Sequence, residues 1–91
     1  LAYLGGAGTA VDTELAGLPR GQNALGMASL MGEGTGLDMV EATAWFRLAG
    51  EGDLAIARIN ERLARNQMDA EMVRLVEPTR QQLLSAIDAT P

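Results

Sequence analysis

The chain contains no cysteine, no histidine and no lysine, and all seven of its basic residues are arginine. Without cysteine there is no disulfide staple, no thiol nucleophile and no thiolate metal ligand, although the redox compartment stays open because proteins of either compartment can lack it. Without histidine a Ser-His-Asp triad is excluded, and without lysine so are Schiff-base chemistry and the lysine of a phosphate-cradling loop. Carboxylates are the only acid or base groups left. One Trp, one Tyr and one Phe make up the whole aromatic complement, too few to stack successive bases of a single-stranded nucleic acid. No apolar run approaches the ~20 residues of a membrane span.

What is present is small and acidic. Of 91 residues 47% are hydrophobic, but 15 of these are alanine, so cohesion has to come from close helix packing over small side chains around one modest core. The net charge of −5 is built mostly before Gly52, which disfavours wholesale binding to a phosphate backbone. All 11 glycines fall at or before Gly52, dividing the chain into a turn-punctuated half and an uninterrupted helical half. The chain opens at Leu1 rather than Met, which leaves room for upstream sequence, a signal peptide included.

Laying residues 1–16 over 27–42 gives identity at Ala2/Ala28, Leu4/Leu30, Gly6/Gly32, Gly8/Gly34, Thr9/Thr35, Asp12/Asp38 and Ala16/Ala42. The shared pattern fits an internal repeat: a helix ending at glycine, a glycine-rich turn, an Asp opening the next helix, and a small residue where two helices touch. Beyond Pro19 the apolar residues recur at helical spacing. A helix is predicted from Arg20 to Met31 with Gly32 as its C-terminal cap, and a second from Met39 to Ala49 with Asp38 as N-cap and Glu41 in the capping-box position. A third, from Leu54 to Arg65, is expected to be capped by Asp53 and to turn Ala55, Ile56, Ile59 and Leu63 inward. Asp69 restarts the chain as a helix with Met72, Val76, Leu83 and Ile87 on one stripe, and a break is expected near Glu77-Pro78, with Pro78 in the first turn of a final helix. No strand alternation is sustained, so the class is all-α.

The order Ala24-Leu25-Gly26, Gly32-x-Gly34, Asp38, Glu41-Ala42, Trp45-Phe46 and Leu48-Ala49, followed by Gly52, resembles the Sel-one-like repeat family, whose antiparallel helix pairs stack into α/α solenoids related to tetratricopeptide repeats. The resemblance implies a short α/α solenoid with a C-terminal helical extension: a partial, degenerate first repeat over 1–19, a complete repeat over 20–52, the first helix of a third over 53–66, and a helical cap over 67–91. It further implies that Gly26 and Ala42 are close-approach positions, that Gly32 and Gly34 form the turn, and that Trp45 with Phe46 fixes the packing between units. Two departures stand out. The first is that the copies are 26 residues apart where a helix pair needs roughly 34, with Pro19 standing where a Trp would be; the second is the lack of cysteine, which separates the chain from disulfide-bridged members.

Function on this reading is that of a non-enzymatic scaffold or accessory subunit in a larger protein complex, one beside a membrane included, with no catalytic residue, metal, cofactor, nucleic acid or small-molecule substrate expected. The alternative is a regulatory segment of a larger enzyme or signalling protein. Arg58, Arg62 and Arg65 fall at i, i+4 and i+7 and form a guanidinium stripe able to grip carboxylates; an ordinary solvated helix face has the same look. With Gln22 and Asn23 they are the candidate partner-binding residues. Gly32-Glu-Gly-Thr-Gly36 follows a helix rather than a strand and has no basic neighbour, so it reads as a turn and not as a phosphate loop. The acid pairs Glu51/Asp53 and Asp69/Glu71 lack an aromatic pocket and read as helix-terminal groups rather than hydrolytic carboxylates. The five methionines read first as core filling, second as an adaptable surface. A bacterial source is expected from the resemblance, with cytoplasm, periplasm and the edge of a membrane complex all open.

Overall fold

The computed structural model describes residues 16–31 and 36–89, and of 36–38 the backbone alone. Among the described residues it is all-helical: α1 is Pro19–Leu30, α2 Gly36–Glu51, α3 Ala55–Arg65 and α4 Ala70–Asp88. Residues 1–15 of the repeat's earlier copy, the turn glycines Gly32 and Gly34, and the side chain of Asp38 lie outside the described residues.

The start of α1 follows from Leu18-Pro19. Proline pushes the residue before it into extended backbone, and Leu18 sits at φ −110°, ψ 140°, with Pro19 in the first turn. The Gln22 amide Nε2 then reaches back to donate to the Ala16 carbonyl at 2.8 Å. The inward face of α1 is made of small or polar residues, Gly21, Gln22, Gly26 and Ser29, which lets its backbone come unusually close to α2. A Cβ at Gly26 would stand 2.5 Å from Phe46 Cε1 and 3.1 Å from the Ala42 carbonyl, a distance only glycine permits.

Helix α2 is the hub. Val40, Ala42, Thr43, Ala44, Trp45, Phe46, Leu48 and Ala49 are all buried, as expected of a helix covered on several sides rather than on one stripe. It packs against α1, α3 and α4, while those three barely touch one another. Its two aromatics, adjacent in sequence, serve different neighbours. Trp45 lies in a cluster with Ala16, Val40, Ala44, Leu48, Val76 and Leu83, and so faces α4. Phe46 clusters with Ala42 and Ala64, with Leu30 against them, and so fills the junction of α1 and α3. The Trp45 indole N–H has no hydrogen-bond partner among the described residues.

Four expectations are corrected. First, α2 begins at Gly36, so Asp38 lies inside its first turn rather than at the N-cap. Glu41 accepts a hydrogen bond from the Ser29 hydroxyl of α1 at 3.3 Å, and the Asp38 side chain, its expected capping-box partner, lies outside the described residues. Second, Asp53 does not cap α3. It adopts φ 67°, the left-handed conformation that an Asp tolerates in a tight reversal, and its carboxylate accepts from Arg58 Nη2 at 3.1 Å. Leu54 holds the N-cap place with no side-chain bond.

Third, the inward face of α3 is Ala57 and Ala64, whereas Ile56, Ile59 and Leu63 are 50%, 50% and 55% exposed. The packed surface of α2 is thick with aromatic volume, and only alanine lets α3 settle on it. Fourth, α4 runs unbroken through Pro78. Asp69 starts it as expected, accepting from the Met72 N–H at 2.9 Å. Proline costs the helix one internal hydrogen bond, but Pro78 sits on the exposed side, while Val76 and Leu83 on either side of it are fully buried and hold both halves down.

Candidate protein-binding surface

The α2–α3 reversal places the arginine stripe. Gly52 leaves no room for a side chain, since a Cβ there would lie 2.4 Å from Pro19 Cγ, and Leu54 N–H closes the turn on the Ala49 carbonyl at 3.3 Å. Arg58 then folds back over the end of α2, its Nε donating to the Gly50 carbonyl at 3.1 Å. A cation on the last carbonyls of a helix satisfies a group with no partner within the helix and complements the helix dipole.

One turn further along α3, Glu61 is shared. It accepts from Arg47 Nε at 3.2 Å and faces Arg65 Nη1 at 3.6 Å. Arg47 also reaches Glu77 at 3.3 Å, Glu77 pairs with Arg80 at 3.2 Å, and Arg80 closes on Glu51 at 2.6 Å. These charges form a continuous chain from α3 across α2 to α4. The Arg80 guanidinium, through its hydrogen bond and its charge, holds the Glu51 carboxyl below the usual carboxylate range against the opposing effect of burial, and the same contact raises Arg80.

Arg58, Arg62 and Arg65 therefore come together on the wall of an open cleft of about 430 Å³, which Glu61, Asn66 and Val73 complete. They differ in what they have left to offer. Arg58 and Arg65 are partly spent on Gly50, Asp53 and Glu61, whereas Arg62 has no ion-pair partner among the described residues.

The other two candidates are internal joints. Gln22 is buried and committed to Ala16, and the Asn23 side-chain oxygen accepts from Asn60 Nδ2 at 3.0 Å, linking α1 to α3. Among the structural positions, Gly26, Ala42, Trp45 and Phe46 are all buried on the α1–α2–α3 and α2–α4 junctions. Sequence reasoning missed the outward turn of Ile56, Ile59 and Leu63 and the Glu51–Arg80 pair. The pair joins residues 29 apart, and nothing in local spacing signals it.

No helix among the described residues is long and apolar enough to cross a membrane. No known protein family, curated protein or solved structure matches this chain.

Proposed function

We propose that this chain is a non-enzymatic protein-interaction segment, a short α/α solenoid piece of the Sel-one-like kind that docks another protein or serves as an accessory subunit. The observation that carries the reading is the outward apolar edge of α3, where Ile56, Ile59 and Leu63 each stand half-exposed on a helix seated through alanines. Large apolar side chains clustered at helical spacing on a surface favour a protein partner over bulk water. The repeat identities at an offset of 26 and the glycine-mediated contact of α1 with α2 support the solenoid part of the reading, with α4 as the extension lying across α2.

The test is affinity purification with the tethered chain beside an Ile56→Ser/Ile59→Ser/Leu63→Ser variant, followed by native mass spectrometry. A defined partner retained by the parent chain and lost by the variant, with circular dichroism unchanged, is the expected outcome. Equal retention by both overturns the reading.

A further inference from the structure

The outward half of α3 carries two chemistries side by side. At 100° per residue, Arg58, Arg62 and Arg65 run along the edge facing the cleft, and Ile56, Ile59 and Leu63 run along the other edge. Ile59 and Arg62, three apart, are surface neighbours where the two stripes meet. The helix has three arginines against Glu61 alone, in a chain whose net charge is −5. It is a local positive edge on an acidic molecule, and the Arg62 guanidinium has no ion-pair partner among the described residues.

We propose that this face receives an amphipathic helix of another protein, its apolar stripe on Ile56, Ile59 and Leu63 and its Asp or Glu residues along one flank in the cleft at Arg62 and Arg65; the inference rests on the protein-binding reading and names its partner's chemistry. Guanidinium groups in an open cleft suit carboxylates because the planar fork gives two parallel hydrogen bonds per pair. Apolar side chains at i, i+3 and i+7 match the groove-reading pattern of a helix laid against a helix. A phosphate backbone is a poorer fit, since one helix edge supplies few contacts against the repulsion of the remaining acids. An anionic bilayer is a poorer fit as well, since an extended negative surface would meet the acids of a chain whose net charge is −5, not the arginine edge alone.

The test selects from a displayed library of randomised helical peptides of about 18 residues, or five turns, against the full chain. The enriched peptides are expected to combine an i, i+3, i+7 apolar stripe with Asp or Glu on the adjoining edge. Their binding is expected to weaken as ionic strength rises and to fall by about tenfold or more on Arg62→Gln/Arg65→Gln, and likewise on Ile59→Ser, with helicity retained in each variant. Binders that depend on Ile59 but carry no acidic bias and ignore the arginine changes overturn the acidic-partner inference and leave the protein-binding reading standing. No enriched binder at all overturns both. Two further arms identify other occupants: a dimer in light scattering that Ile59→Asp dissolves assigns the face to a second copy, and Arg62-dependent binding to phosphatidylglycerol vesicles assigns it to a membrane. Either result overturns the inference.

Discussion

The ring of Phe46 occupies the space that any side chain at Gly26 would need: a Cβ there would lie 2.5 Å from Cε1 and 2.7 Å from Cδ1. Alanine in a helix interior ordinarily gains up to ~1 kcal/mol over glycine. Here Phe46 is fully buried and cannot swing aside, so overpacking of ~1–3 kcal/mol opposes that gain. Gly26→Ala is expected to destabilise the fold by ~1–2 kcal/mol in urea titration, and a stabilised variant would show that the Phe46 ring yields after all.

Helix α3 yields a prediction opposite to what hydrophobicity alone suggests. Ile59 is half-exposed and Ala57 fully buried. Ile59→Ser is expected to leave stability within ~0.5 kcal/mol, whereas Ala57→Leu, which adds apolar volume, is expected to cost ~1–3 kcal/mol. Thermal denaturation of the two variants decides whether α3 rests on its alanines or on its isoleucines.

Arg80 and Glu51 set an acid-side dependence. The Glu51 carboxyl is held below its ordinary range by Arg80, so its contribution to stability is complete above the ordinary glutamate range and is lost as the pH falls through the lowered value. Glu51 is nearly half-exposed, and solvent screening limits the pair to ~0.5–1 kcal/mol. Arg80→Gln is expected to lose that amount at neutral pH, and the gap to the parent chain is expected to narrow below about pH 4 as Glu51 protonates. Denaturant midpoints measured across pH test it, and a gap independent of pH would rule out Glu51 as the group responsible.

Pro78 interrupts the hydrogen bonding of α4 from its exposed side. Pro78→Ala restores the N–H and relieves the clash with the preceding turn, a gain partly offset by a freer unfolded chain. A rise in stability of ~1–2 kcal/mol is expected in calorimetry, and a fall would indicate that the proline fits the helix without strain.

Several positions where a residue's backbone preference sets a boundary were legible in the sequence: the break at Pro19 ahead of α1, the end of α2 by Gly52, and Asp69 at the head of α4, but not the left-handed turn at Asp53. So was the stripe of Val76 and Leu83, because a long helix with one covered side displays its period plainly. The orientation of α3 was hidden for a physical reason. Its larger apolar residues advertise one side, but the surface of α2 accepts only Ala57 and Ala64, and that constraint belongs to the partner helix rather than to α3 itself. Pro78 misled because proline's penalty is local, while Val76 and Leu83 supply burial on both sides of it. Of the arginine stripe, the spacing was legible; that Glu61 also answers to Arg47, and that of the three only Arg62 has no ion-pair partner among the described residues, was not, since these depend on which elements meet.

Because α1, α3 and α4 each lean on α2 and scarcely on one another, the molecule is built like spokes on an axle. Losing one spoke breaks a single seam and leaves the other two intact, so partial detachment costs less than global unfolding. A visitor pulling on α3 would have to part the seam around Phe46 and Ala64 with its polar ties to Asn23, Arg47 and Gly50, and amide exchange should accordingly be slowest along the axle and faster along each outer rod.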